Sequence, residues 1–178
     1  VSIIDAMTEA RLIRTGIKFG MPSAFERPVL CIDVGGGSTE FSVSTGDHIQ
    51  LLASVPMGAV NVSSRYLGAD PVSGRNVNDT LRHLRREFLS VARMIHCLPR
   101  SLTIATGGSI QRLARLVAAE QGAPRNDVDG FKMGLDDLER CTRQLRGART
   151  QTERLKIPGM DPDRADVLLG GALIFKTL

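Results

Sequence analysis

The stretch Asp33-Val34-Gly35-Gly36-Gly37-Ser38-Thr39-Glu40 decides how this chain is interpreted, because three consecutive glycines join two apolar runs. The run Val29–Ile32 precedes it and the alternating run Phe41–Val43 follows it, which predicts a strand, a tight turn and a second strand. Glycines lack a Cβ atom, so the backbone of the turn can approach a ligand closely. Successive N–H groups in such a turn can converge on an anion. The stretch therefore predicts a phosphate-binding turn between two strands.

Acidic and hydroxyl-bearing residues surround the glycine turn. Asp33 and Glu40 stand on either side of it, and they are the predicted ligands of a divalent cation such as Mg²⁺, which favours carboxylate and water oxygens. Ser38 and Thr39 add hydroxyl groups that a solvent-facing hairpin does not require. The predicted phosphate-binding residues of the turn are Gly35, Gly36, Gly37, Ser38 and Thr39. A plain hairpin is the alternative, whereas a P-loop and a dinucleotide fingerprint are excluded because neither G-K-[S/T] nor a helix follows.

Hydrophobic periodicity over the rest of the chain predicts one mixed α/β domain of 178 residues. Apolar and alternating runs predict strands at 29–34, 39–45, 48–55 and 101–105. Helical spacing predicts helices at 8–17, 60–66, 76–95 and 135–145, and a further helix capped by Ser109. Near the end of the sequence, residues 150–153 form a capping-box pattern, and Asp161 followed by Pro162 predicts the start of the last helix.

Composition and charge narrow the classes of function. The net charge of +4 suits a polyanionic substrate, because long-range attraction raises encounter rates. We predict no nucleic-acid binding, since no binding module is recognisable and aromatic residues do not interleave with basic ones; the cluster at 82–86 is interpreted as a solvated helix face. No apolar stretch approaches the roughly 18 residues needed to span a bilayer, so we predict no membrane association. Three widely spaced cysteines predict reduced thiols in a cytoplasmic protein.

Several stretches together resemble the exopolyphosphatase and guanosine pentaphosphate phosphohydrolase family, which belongs to the actin and sugar-kinase superfamily. The glycine turn with its two strands is similar to the phosphate-binding segment of that family. The other similar stretches follow the family's order: Thr8–Ile13, Pro56–Val60, Thr106–Ser109, and Asp161–Val167 with Gly171–Ile174. The resemblance spans almost the whole chain.

This resemblance implies an α/β fold, namely a ribonuclease-H-like lobe of the actin-like ATPase kind. Its mixed sheet would contain an antiparallel three-strand meander flanked by helices. Residues 1–28 would form an inter-lobe helix and connection, and residues 29–178 the second, phosphate-binding lobe. The family's first lobe has no counterpart in the sequence, so we expect a second lobe or fragment with negligible activity alone.

The resemblance also implies the chemistry, which is release of terminal phosphate from inorganic polyphosphate or guanosine pentaphosphate with Mg²⁺. Glu9 matches the glutamate regarded in the family as the base for the attacking water, and Glu40 is the second predicted catalytic residue. The family usually carries two or three acidic residues around the position of Glu9, whereas Met7 and Thr8 precede Glu9 here. The matching turn adds Gly107 and Gly108 as phosphate-binding residues, with a helix-entry turn as the alternative. A homodimer of the intact protein is compatible with the resemblance.

Two other classes of function remain open on the sequence alone. The first is the lobe of an ATP-dependent sugar or acetate kinase, which shares the superfamily but transfers phosphate to an acceptor. The second is a non-catalytic domain that senses an alarmone or a partner protein. Glu9 and the spacing of the glycine turn favour the hydrolase over the kinase.

Overall fold

The computed structural model of the chain describes residues 4–122 and 127–178. Its strands are β1 (Val29–Val34), β2 (Thr39–Thr45), β3 (His48–Val55) and β4 (Leu102–Thr106). Its helices are α1 (Ala6–Gly20), α2 (Ala59–Val62), α3 (Gly74–Glu87), α4 (Leu89–His96), α5 (Gly108–Glu120), α6 (Leu135–Gly147), α7 (Gln151–Arg154) and α8 (Leu168–Thr177). Two 3-10 turns, Pro22–Glu26 and Pro162–Arg164, and a π-helical turn, Ser63–Leu67, complete the described elements.

The four strands form one mixed sheet in the order β3-β2-β1-β4. Strands β1, β2 and β3 are antiparallel neighbours, and β4 lies parallel to β1 on its other side. This arrangement confirms the predicted α/β fold with a three-strand meander flanked by helices. The strands predicted at 29–34, 39–45 and 48–55 are confirmed with these bounds, because alternation and the turn residues between them are local signals.

The two faces of the sheet have different coverings. Side chains of Leu30, Ile32 and Val34 on β1 and Phe41 on β2 enter the main hydrophobic core; we call this side the core face. The opposite side, which we call the α1 face, is covered by α1 and the turn Pro22–Glu26. Successive residues of a strand point to opposite faces, so the residue order of β1 and β2 decides which side chains meet α1.

Helix α8 lies at the centre of the helices on the core face of the sheet. Each of its residues from Leu168 to Phe175 is buried, and it packs against α2, α3, α5 and α6. A helix that is apolar on all sides must be surrounded by other elements, which is what the structure shows. Among the helices of residues 4–122 and 127–178, none combines the length and apolar content that crossing a membrane requires.

Several predicted helices differ in detail from the structure. The helix predicted at 76–95 is divided at Phe88 into α3 and α4. The last helix is likewise divided: Asp161 caps only the turn Pro162–Arg164, and α8 begins at Leu168. The predicted cap at Ser109 is wrong, because Gly107 occupies the cap position of α5 without a side-chain hydrogen bond. The capping box of α7 at Thr150 and Glu153 is confirmed.

Candidate phosphate-binding site

The residues between β1 and β2, Gly35 to Ser38, form what we call the glycine loop, and the first residues of α2 hold its carbonyl groups. Three hydrogen bonds make this contact: Ala59 N to Gly35 O at 2.9 Å, Val60 N to Gly36 O at 3.0 Å, and Asn61 Nδ2 to Gly37 O at 2.8 Å. Three successive carbonyl groups of the loop therefore point toward α2.

The direction of these carbonyl groups determines where the loop's N–H groups point. In a planar trans peptide, the carbonyl and the following N–H point in opposite directions. The N–H groups of Gly36, Gly37 and Ser38 consequently point away from α2, at a turn where Gly36 and Gly37 are exposed. Such a set of adjacent donors can hold an oxyanion. Gly35 was also predicted to bind phosphate, but its N–H group donates to Ser38 O at 3.0 Å and closes the turn.

Close packing keeps α2 against the glycine loop. Gly58 precedes α2, and a Cβ atom at this position would overlap the backbone of Gly36. Thr39 also supports this packing, because its hydroxyl donates to Met57 O at 2.6 Å and the residue is fully buried. This corrects the prediction that the Thr39 side chain binds phosphate: its hydroxyl already has a main-chain partner in the interior.

A row of four polar residues crosses the sheet beside the loop, on the α1 face. The register pairs Glu40 with both Asp33 and Ser54, and pairs Asp33 with Thr106. Ser54 Oγ donates to Glu40 Oε1 at 2.9 Å, and Thr106 Oγ1 donates to Asp33 Oδ1 at 2.6 Å. This polar row (Ser54, Glu40, Asp33 and Thr106) thus has two carboxylates in the middle and a hydroxyl donor at each end.

Glu40 has an unusual environment for a carboxyl group. It is 2% exposed, and this burial raises its pKa. The hydroxyl groups of Ser38 and Ser54 oppose the rise by donating hydrogen bonds, whereas the negative charges of Glu9 and Asp33 add to it. Glu9 and Asp33 are therefore the two charged groups that act on Glu40 at the end of the sheet that carries the glycine loop.

Glu9 reaches this site from α1. It lies in the first turn of the helix, is exposed, and follows Asp5, whose side chain accepts a hydrogen bond from Thr8 N at 2.8 Å and caps the helix. The helix packs against β2 and β3, and Arg14 anchors it by donating to Ser44 Oγ at 3.2 Å. Lys18, near the other end of α1, pairs with Asp47 at the turn between β2 and β3, so the first turn of α1 with Glu9 lies toward the Glu40 end of β2.

The turn from β4 into α5 lies on the other side of the glycine loop. Gly107 has a φ of 93°, and a Cβ atom there would lie 2.8 Å from Val34 O, so only glycine allows this close approach to β1. Gly108 lines a cleft of about 120 Å³ together with Gly35 and Gly36. Of the two predicted glycines, Gly107 therefore has a packing role and Gly108 faces the cleft.

Two arginines line the same cleft and were not among the sequence predictions. Arg112 on α5 donates to Asp161 Oδ2 at 2.7 Å and to Gly108 O at 2.9 Å, and this guanidinium lowers the pKa of Asp161. Arg164 reaches the cleft from the turn before α8. The stretch Asp161–Val167 contained Arg164, but a sequence cannot show that this segment folds beside the glycine loop.

The residues present fit a hard divalent cation bound through few protein ligands. Asp33 and Glu40 are carboxylates on neighbouring strands, which is the donor chemistry that Mg²⁺ uses together with water and phosphate oxygens. Within residues 4–122 and 127–178, no group of three or more His, Cys, Asp or Glu side chains could hold a metal ion. Glu9, Asp33 and Glu40 are thus not a closed three-ligand site.

Comparison with known proteins adds independent information. The profile of the Ppx/GppA phosphatase family matches residues 1–178. The chain is 32% identical over 181 residues to exopolyphosphatase 2 of Mycobacterium tuberculosis, covering 99% of this chain and 54% of that protein. It is also 31% identical over 155 residues to an uncharacterised protein of Streptomyces coelicolor, covering 84% of this chain and 45% of the relative. The chain spans about half the length of these curated relatives.

Solved structures show the same fold. A crystal structure of an exopolyphosphatase from Cytophaga hutchinsonii superposes with a TM-score of 0.85 at 24% identity, covering 99% of this chain and 57% of that one. The Ppx/GppA phosphatase of Aquifex aeolicus superposes with a TM-score of 0.80 at 24% identity, covering 98% of this chain and 56% of that one. The architecture is therefore that of the Ppx/GppA structures, an actin-like ATPase lobe.

Proposed function

The chain belongs to the Ppx/GppA phosphatase family, and on this basis we propose that it provides one half of a phosphohydrolase site. The substrate of the proposed reaction is inorganic polyphosphate or guanosine pentaphosphate, from which terminal phosphate is released. Residues 29–178 are the proposed phosphate-binding lobe, and residues 1–28 the connection that carries Glu9. In this proposal the second half of the cleft corresponds to the part of the relatives' length that this chain does not cover.

One observation carries this proposal above the others: the carbonyl groups of three successive glycines are tied to α2. Their peptide planes therefore direct the N–H groups of Gly36, Gly37 and Ser38 to the opposite side of the loop. Adjacent N–H donors of this kind match the oxygens of a phosphoryl group. The acidic residues of the polar row lie next to this set of donors, where hydrolysis would need them.

In the proposed mechanism, the glycine loop binds non-bridging oxygens of the terminal phosphoryl group. Glu9 orients a water molecule and takes its proton as the water oxygen bonds to phosphorus. The bond from phosphorus to the bridging oxygen breaks, and the shortened phosphate chain leaves with the electron pair. Glu9 is suited to this part because it is exposed at the site, whereas Glu40 is buried. A positioned base contributes about 10²–10⁴-fold to the rate.

Asp33 and Glu40 are the residues that would hold Mg²⁺. When bound, the ion would neutralise negative charge on the phosphoryl oxygens. The protein adds positive charge of its own on the other side of the loop, where Arg112 and Arg164 line the cleft. Because Arg112 is paired with Asp161, Arg164 is the stronger candidate for contact with a second phosphate of the chain.

The test is phosphate release from polyphosphate and from guanosine pentaphosphate by the full-length protein and its Glu9→Gln variant. We expect the variant to have a kcat about 10²–10⁴-fold lower, with its melting temperature unchanged. Glu26→Gln is the matched control, since Glu26 is exposed at the end of a 3-10 turn, away from the polar row. A Glu9→Gln enzyme with a kcat within threefold of the wild type would contradict the role of Glu9.

Two further measurements separate hydrolysis from the two other classes of function. Formation of ADP from ATP and a sugar or acetate acceptor would indicate a kinase. Calorimetric binding of guanosine pentaphosphate without phosphate release would indicate a sensor. The cytoplasmic location and the homodimer stay predictions, and light scattering of the full-length protein would test the second.

A further inference from the structure

We propose that Ser54 and Thr106 are positioning residues, whose hydroxyl groups hold the two carboxylates of the polar row in place. The inference rests on the proposed phosphohydrolase function and extends it to residues that make no contact with the reacting atoms. It gives a role to Thr106, the first residue of the Thr106–Ser109 stretch.

The first argument is the placement of the two hydroxyl groups. Ser54 lies near the end of β3 and Thr106 ends β4, so one hydroxyl comes from each outer strand of the sheet. Each is opposite a carboxylate in the register and donates a hydrogen bond to it, at 2.9 Å for Ser54 and 2.6 Å for Thr106. The four side chains thus form one continuous set across the sheet.

The second argument is electrostatic. Asp33 and Glu40 are directly opposite each other in the register of β1 and β2, so negative charge on both carboxylates would turn them apart. A hydroxyl that donates to an ionised carboxylate makes a hydrogen bond stronger than one between neutral groups. The bond of Thr106 is made to Oδ1 of Asp33, so it does not engage Oδ2, the oxygen that we propose for a ligand.

The third argument is that the backbone encloses Asp33 on the side of Thr106. A Cβ atom at Gly107 would lie 3.0 Å from Asp33 Oδ1. The backbone therefore passes close to this carboxylate directly after Thr106, whose hydroxyl donates to it. Thr106 is half-buried, and its partner is a carboxylate rather than a main-chain carbonyl. In this it differs from Thr39 and Thr142, whose buried hydroxyls donate to the backbone.

The experiment compares Thr106→Val with Thr106→Ser, and Ser54→Ala with Ser54→Thr, in the full-length protein. Valine keeps the shape of threonine without the hydroxyl, and serine keeps the hydroxyl. We expect Thr106→Val to lower kcat about 10-fold to 100-fold, which is the effect of losing one hydrogen bond to a charged group. Thr106→Ser should stay within threefold of the wild type, with KM little changed in both. Ser54→Ala should lower kcat less, because the Ser38 hydroxyl also acts on Glu40.

A second measurement needs no turnover. Titration of Mn²⁺ followed by electron paramagnetic resonance, without substrate, should show weaker binding in Thr106→Val and restored binding in Thr106→Ser. Thr142→Val is the control, since this hydroxyl donates to Leu138 O at 2.7 Å within α6 and its loss should affect stability alone. 

Three outcomes test the positioning role of Thr106 and distinguish it from the proposed function. A Thr106→Val protein with wild-type kcat and Mn²⁺ affinity overturns the positioning role. Equal losses in the Val and Ser variants, together with a lower melting temperature, also overturn it, because they indicate a structural effect. If the wild type releases phosphate from neither substrate, the proposed function fails, but weaker Mn²⁺ binding that serine restores still supports the positioning of Asp33.

Discussion

Glu40 and Phe41 are neighbours in the chain, yet they lie on opposite faces of the same sheet and have opposite consequences. Phe41 is 1% exposed on the core face, where its ring meets that of Phe88 edge-on with the centroids 5.9 Å apart. Glu40 is almost as deeply buried on the α1 face, but among carboxylates and hydroxyls. The comparison shows that equal burial stabilises the fold in one case and builds the candidate site in the other.

The difference extends along both strands. On the core face, aliphatic and aromatic side chains are buried against α8 and its neighbours. On the α1 face, Glu40, Ser42 and Ser44 of β2 are buried beneath a helix that itself contributes the buried Arg14. Burying polar groups costs free energy unless they find partners, so these side chains of β2 contribute less to stability than the apolar ones on the core face.

The largest effect on stability is expected from Phe41→Ala. Removing this ring from the core should lower the free energy of unfolding by about 3–5 kcal/mol, because it deletes buried apolar contacts and leaves a cavity. Denaturant unfolding followed by circular dichroism measures the change. Phe19→Ala is the control, since Phe19 is 90% exposed on α1 and should change stability by less than about 0.5 kcal/mol. Similar losses in both variants would contradict the burial of Phe41 in the core.

A smaller loss, confined to the end of the sheet, is expected from Gly58→Ala. The added Cβ would overlap the backbone of Gly36, so α2 must move away from the glycine loop at a cost of about 1–3 kcal/mol. Affinity for inorganic phosphate should fall with it, as calorimetry would show. Gly16→Ala is the matched control on α1, where an added Cβ meets nothing within 4 Å. Unchanged phosphate affinity in Gly58→Ala would contradict the idea that phosphate binding by the glycine loop depends on its packing against α2.

Glu40→Gln tests the α1 face through its pH dependence. Burial raises the folded-state pKa of Glu40 above its ordinary value of 4.5, so the folded protein holds this proton more tightly than the unfolded one. The resulting stability is present below pH 4.5 and is lost as the pH rises through the folded pKa. Glutamine does not ionise, so the Gln variant keeps this stability at every pH. The difference in stability between the Gln variant and the wild type, in favour of the variant, should therefore be greater at pH 7 than at pH 4. Thermal melts in the presence of a chelator would measure this, and an advantage that shrinks toward neutral pH would contradict it.

The smallest effect concerns thiol reactivity. Cys31 lies on the α1 face and Cys141 against the core, and burial raises the pKa of both thiols, that of Cys141 to about 12. Cys97 is exposed after α4. Brief alkylation at pH 8, followed by peptide mass spectrometry, should label Cys97 alone in the native chain and all three thiols in denaturant. Rapid labelling of Cys31 in the native protein would show that α1 does not stay on the sheet.

The meander and its turns could be predicted from the sequence because their signals are local. Alternation, glycine turns and the capping box each depend on residues within a few positions of one another. The division of the long helix at Phe88 had no such signal, since nothing in residues 85–90 disfavours a helix.

The candidate site could be predicted only in part. Asp33, Glu40 and the glycine loop stood together in the sequence, but Thr39 could not share a face with Glu40, because adjacent strand residues point in opposite directions. That rule was available from the sequence and would have excluded Thr39. The sequence could not predict Ser54, Asn61 and Arg164 as site residues. Only the register of β3, the packing of α2 and the position of the turn before α8 bring them to the loop.

The tie between the glycine loop and α2 has a consequence for energetics. Because the loop carbonyls are bound before any ligand arrives, the opposing N–H dipoles need not rotate when charge accumulates on a phosphoryl oxygen. Water molecules around the same anion would have to reorient, and that reorganisation is a large part of the barrier in solution. A short helix of four residues thereby holds the donors of the loop in the orientation that the anion needs.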